Sequence, residues 1–95
     1  MKITELDGKV ICTLDGHFDT QQSQELEETL KARLKPSQPV TFEMHGVTYV
    51  CSGFLRVCVF VARTAGAGQF TLLGMAPPIK RVFKMAGMSD LFQCE

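Results

Sequence analysis

Strand-like and helix-like hydrophobic patterns alternate along this chain, and that alternation limits its fold more than any single residue does. Residues 2–6 and 9–14 are short runs joined at Asp7-Gly8, a dipeptide suited to a type I′ hairpin turn because glycine accepts positive φ. In the second run Val10, Cys12 and Leu14 alternate with Ile11 and Thr13, so it is apolar on nearly both faces, as an inner strand is. Residues 15–19 follow as a loop. Asp19 reads as the N-cap of a first helix, and Gln22 completes a capping-box pattern. Leu26, Leu30 and Leu34 recur at helical spacing as its buried stripe, Glu27 and Lys31 pair on its outside, and Pro36 stops it.

Residues 40–44 form a third strand, and 45–50 lead out of it as a loop. Residues 54–65 carry strand-favouring Val57, Val59, Phe60 and Val61. The length of the segment, the small Ala62 and Ala65, and the absence of turn signals select a helix instead, with Ser52 as its N-cap. Arg56 and Arg63 then share one polar edge. Gly66-Ala67-Gly68 ends this helix, residues 69–73 form a fourth strand, and 74–77 turn. Pro78 suits the first turn of a third helix whose Ile79, Val82, Phe83 and Ala86 face inward, with Lys80, Arg81 and Lys84 outside and Gly87 at C′. Leu91 and Phe92 are expected to tuck a short tail onto the body. The order is ββαβαβα, an α/β class in which strands separated by helices lie parallel with right-handed crossovers.

Ninety-five residues make one domain, 1–95, and 45% hydrophobic with 21% charged residues excludes a disordered chain. The net charge of zero argues against a nucleic-acid partner. No apolar run is long enough for membrane insertion, and the N-terminus lacks the apolar stretch of a signal peptide, so the expected location is cytoplasmic. Cys12, Cys51, Cys58 and Cys94 contain no CxxC pair, and His17 and His45 have no ligand-spaced partner. Neither a metal nor a cofactor is expected, and no Ser–His–Asp spacing suggests catalysis. The charge is nevertheless divided: residues 1–45 hold eight acids and five bases, and residues 46–95 two acids and five bases.

In a parallel sheet, sites form at loops after the carboxyl ends of strands. Here these are residues 15–19 and 45–52. The second delivers Ser52 to a helix start, where a phosphate would face free N–H groups and the positive helix end. The commoner role of such a serine is a plain N-cap.

Gly46-Val47-Thr48-Tyr49-Val50-Cys51-Ser52-Gly53-Phe54-Leu55-Arg56-Val57 resembles, without a gap, the central motif of the STAS family in its anti-sigma factor antagonist branch, G-V-x-[FY]-[IV]-[DS]-S-[SAT]-G-L-x-V-L. Leu14-Asp15-Gly16-His17-Phe18-Asp19 resembles that family's entry into its first helix. Residues 70–73 with Pro77-Pro78-Ile79-Lys80-Arg81-Val82-Phe83 resemble its fourth strand and third helix, and residues 85–92 its ending. The resemblance implies a STAS fold: a mixed four- to five-stranded sheet with an N-terminal hairpin and three to four helices. Many relatives continue further, so the last packing element is expected to be missing or supplied by an oligomer.

The resemblance also implies a partner-switching regulator. The unmodified antagonist binds an anti-sigma factor that is itself a serine kinase of the histidine-kinase-like ATPase fold. Phosphorylation, here on Ser52, releases it, and a metal-dependent serine phosphatase restores it. The partner-binding residues expected are Asp19, Tyr49, Cys51, Ser52, Gly53, Phe54 and Arg56. Three of them depart from the motif: Cys51 stands where Asp or Ser is usual, Gly53 where Ser, Ala or Thr is usual, and Phe54 where glycine is usual. Phe54 either packs inward or offers an apolar anchor. Cys51 is either a small residue filling a tight loop, the preferred reading, or a redox-sensitive thiol. The alternative function is a constitutive STAS subunit of a lipid-transport complex.

Overall fold

The computed structural model describes residues 1–88 and 93–94. Strand β1 (Lys2–Leu6) turns at Asp7-Gly8 into β2 (Lys9–Phe18) and pairs with it antiparallel, Leu6 opposite Lys9. Both turn residues have positive φ, 53° and 79°, as a two-residue I′ hairpin requires. Helix α1 (Thr20–Arg33), β3 (Val40–Val50), α2 (Ser52–Ala65), β4 (Phe70–Leu73) and α3 (Pro77–Met85) come next, and a two-residue β5 (Gln93–Cys94) closes the order. The five-stranded sheet runs β1-β2-β3-β4-β5, with only the first pair antiparallel. The two-residue β5 pairs parallel with β4, Thr71 opposite Gln93 and Leu72 opposite Cys94. The expected packing of Leu91 and Phe92 lies outside the described residues.

Each crossover steps one strand in the same direction, so right-handed connections put all three helices over one face. Burial agrees. Cys12, Phe42 and Leu72, aligned across the sheet, are buried, whereas Ile11, Thr41 and Thr71 beside them are half-buried. The inner position expected of β2 holds, but burial on both faces does not: Thr13 is exposed.

Of the expected loops, residues 15–18 and 45–50 are strand, and only Asp19 is left between β2 and α1. The sequence hides this because the pairing offset between β2 and β3 changes twice, between Thr13 and Asp15 and between Gly16 and His17. Each shift is a bulge that inserts one residue into β3 and re-aims the side chains beyond it. Met44, Val47 and Val50 are buried at every third position, so the period-2 signal ends at Met44. Beyond Thr13 and Glu43, β2 and β3 pair only with each other, because β1 and β4 stop there. The result is a coiled two-stranded ribbon that ends in register at Phe18 and Val50.

Asp19 caps α1 as expected, its Oδ1 accepting from the Gln22 N–H at 3.0 Å. Leu26 and Leu30 are buried, Leu34 half-buried, and Lys31 lies 3.6 Å from Glu27 and over the Phe60 ring of α2. In α3, Ile79 and Phe83 are buried, but Val82 and Ala86 are exposed, contrary to expectation. Val82 sits at the rim of the stripe set by Ile79 and Phe83 and stays 37% exposed, and Ala86 lies past the last helical residue, Met85. The helix closes in a Schellman pattern, Gly87 N–H to the Lys84 carbonyl and Met88 N–H to Phe83, with Met88 buried. At the β4–α3 turn Gly74 has φ 70° and the His45 ring fills the space a Cβ would need, so only glycine fits.

The core centres on phenylalanines. Phe54 is fully buried, its ring 5.2 Å from that of Phe18, 6.1 Å from Phe42 and 6.4 Å from Phe83, while Phe42 meets Phe70 edge-on at 4.9 Å. Truncation in such a cluster loses transfer energy and leaves a cavity. Phe54→Ala is expected to cost about 3–5 kcal/mol, and Asp19→Ala about 1 kcal/mol, both read as shifts in the urea unfolding midpoint at unchanged slope.

Candidate functional site

The in-register end of the ribbon starts two helices side by side. Phe18 leads through Asp19 into α1, and Val50 leads through Cys51 into α2. The Cys51 N–H donates to the Phe18 carbonyl at 3.2 Å, tying the two exits together. A further contact joins the helix starts, Ser23 Oγ to Cys51 Sγ at 3.6 Å.

The N-cap of α2 is Cys51 rather than Ser52. Cys51 is extended (φ −107°, ψ 176°), and its carbonyl accepts from the N–H groups of Phe54 at 3.0 Å and Leu55 at 3.3 Å. Ser52 is thus the first helical residue. It is exposed, and among the described residues its hydroxyl makes no hydrogen bond. A serine here spends nothing on capping, and its Oγ faces solvent.

Cys51 is half-buried and makes no conventional capping bond, yet its sulfur faces the open end of α2. Burial alone would raise its pKa. The Ser23 hydroxyl and the N–H groups of Phe54, Gly53 and Cys51 itself outweigh that and hold the thiol below the ordinary range. Burial does dominate elsewhere: it pushes Cys12 up to about 12, against the opposing Arg33 charge, and raises the Cys58 thiol well above its ordinary range.

The ribbon adds an exposed aromatic pair. Tyr49 stacks on His17 with ring centroids 4.3 Å apart and planes 14° apart, and Thr48 Oγ1 donates to the Gly16 carbonyl at 3.3 Å. Between α1 and α2 lies a groove of about 240 Å³ lined by Thr20, Ser23, Gln24, Glu27, Gly53 and Arg56, with Val57 beneath. Gly53 forms part of the groove's α2 wall. A Cβ there would make only ordinary contacts, 3.4 Å to Cys51 Sγ and 3.8 Å to Arg56 Nη2.

The structure therefore gathers Asp19, Cys51, Ser52, Gly53 and Arg56 around two helix starts, with Tyr49 on the ribbon behind them. Phe54 takes the inward of its two alternatives. It is fully buried, so it anchors the site and its ring offers no contact to a partner. Sequence reasoning missed Ser23, Thr20, Gln24 and Glu27. Ser23 had a signal: it precedes Leu26 and Leu30 on the same stripe, a small polar residue in an apolar row, and it is 2% exposed. Among the described residues no group of acids, histidines and cysteines is arranged to hold a metal, and no helix is long and apolar enough to cross a membrane.

Comparison with known proteins agrees with this architecture. The profile of the family described as "Mlab, STAS domain" matches residues 1–93. A protein of Bordetella bronchiseptica named "Putative anti-sigma factor antagonist BtrV" is 29% identical over 97 aligned positions, which cover 97% of this chain and 84% of that protein.

The thiol environments give a test. In a Cys94→Ser background, Cys51 is expected to alkylate with a half-maximal rate at lower pH than a free cysteine, because the thiolate is the reacting form. Ser23→Ala removes one donor to the thiolate and moves that profile upward. Cys12 and Cys58 stay unmodified until the chain unfolds, as peptide mapping of the alkylated protein will read.

Proposed function

The chain belongs to the STAS domain family, and on that premise we propose that it is an anti-sigma factor antagonist of the partner-switching type. Its unmodified form binds an anti-sigma factor that is also a serine kinase, and phosphorylation of Ser52 ends the contact. A metal-dependent serine phosphatase reverses the modification. The chain performs no chemistry of its own: phosphoryl transfer belongs to the kinase and hydrolysis to the phosphatase.

The observation that carries this reading is the state of the Ser52 hydroxyl, exposed, unbonded and fixed on the first turn of a helix. The similarity to the Bordetella antagonist supports it. The surface around Ser52 also suits a reversible protein contact. It combines an exposed stacked aromatic pair, a polar groove and charges of both signs on rigid elements. A phosphate adds about −1.5 to −2 charges at neutral pH. In the middle of a contact that charge must lose its water, and the complex separates.

Incubation with ATP and the co-purifying kinase is expected to place one phosphate on Ser52, mapped by mass spectrometry, and Ser52→Ala removes it. Ser52→Asp weakens kinase binding by roughly tenfold or more in calorimetry. Absence of phosphate together with undiminished binding of Ser52→Asp would defeat the switch. Constitutive co-purification with a transporter ATPase would then favour the lipid-transport subunit.

A further inference from the structure

We propose that Arg56 clamps the phosphate of phospho-Ser52, so that the modified state is held by a charge pair within the protein's own second helix. The inference rests on Ser52 being the modified residue and adds what happens to the phosphate afterwards.

Three observations lead there. First, Arg56 follows Ser52 by four residues in α2, which puts both side chains on one helix face with Cβ atoms roughly 5–6 Å apart. Second, the guanidinium does not extend along the helix toward its C-terminus. It leans back over the first turn, with Nη2 3.8 Å from the position of a Cβ on Gly53. Gly53 and Arg56 both line the adjoining groove. Third, the cation is uncommitted. Among the described residues Arg56 has no ion pair or hydrogen bond, although Glu27 lines the same groove. Glu27 is taken by Lys31 at 3.6 Å. An exposed, unpaired guanidinium folded back over the first turn of the helix can offer its planar fork to two oxygens of a phosphoryl group on that turn.

Other charged or titratable groups also face this region: Asp19 at the α1 cap, Glu27 across the groove, Cys51 beside Ser52, and His17 with Tyr49 on the ribbon. Their effects, and that of the α2 N–H groups, are common to the wild type and an Arg56 variant, so a comparison isolates the guanidinium. In the clamped state the groove loses its free cation to the phosphate. The contact surface therefore changes by more than the added charge alone.

The test needs no kinase. Phosphoserine is installed at position 52 by codon suppression, and the second ionisation of the phosphate is followed by ³¹P NMR titration at low salt. An opposite charge favours the dianion, so the wild-type midpoint lies below that of Arg56→Gln, by about half a pH unit or more. Arg56→Lys falls between the two, because it keeps the charge and loses the fork. Salt at about 0.5 M shrinks the difference. Arg56 is exposed, so these variants keep the fold, which circular dichroism melting verifies. Equal midpoints for wild type and Arg56→Gln overturn the clamp. A kinase that never modifies Ser52 defeats the partner-switching reading and leaves this titration unaffected, so the two failures are distinguishable.

Discussion

The site depends on one buried ring. Phe54 is the third residue of α2, and its side chain is inserted among Phe18 from the end of β2, Phe42 from β3 and Phe83 from α3. Those contacts fix where the second helix begins. Ser52 and Gly53 cannot shift or rotate without moving a fully buried aromatic side chain, and close-packed interiors resist that. A family position usually filled by glycine here carries the anchor of the first turn.

The one-sided sheet does the rest of the positioning. Its helices lie over a single face, so α1 and α2 are neighbours, and two bulges bring their starts to the same level at the ribbon end. Charge follows the same geometry. Acids crowd the first half of the chain, with Asp19, Glu25, Glu27 and Glu28 at or in α1, while the helices of the second half, α2 and α3, carry only bases. The groove between α1 and α2 is the seam, with Glu27 on one wall and Arg56 on the other. Net neutrality is a sum over two unlike surfaces that meet beside the proposed phosphoserine.

Much of this was legible in the sequence. Asp7-Gly8 fixed the hairpin, Asp19 the first cap, and the order of strand and helix patterns the topology. The helical reading of residues 54–65 held despite four strand-favouring side chains, because that segment packs over the sheet as a layer of its own. What escaped was the ribbon. Periodicity detects a strand only while its alternation persists, and the bulges replace alternation with burial at every third residue. The same blindness shifted the cap from Cys51 to Ser52, since strand exit was placed several residues early. At the site, motif resemblance supplied Ser52, Cys51, Gly53 and Arg56. It passed over the α1 wall, because Ser23, Gln24 and Glu27 become neighbours of Gly53 only through the packing of two helices.

The pairing of Phe18 with Val50 has a consequence for mimicry. It joins residues 32 positions apart across an intervening helix, and both helix starts hang from it. No contiguous fragment around Ser52 contains its own support. A synthetic peptide spanning the motif would present the same letters without the paired ribbon, the Phe54 socket or the α1 wall, and short isolated helices are marginal in water. The proposed recognition surface is thus an epitope of the folded chain, assembled by long-range pairing and absent from any linear stretch of it.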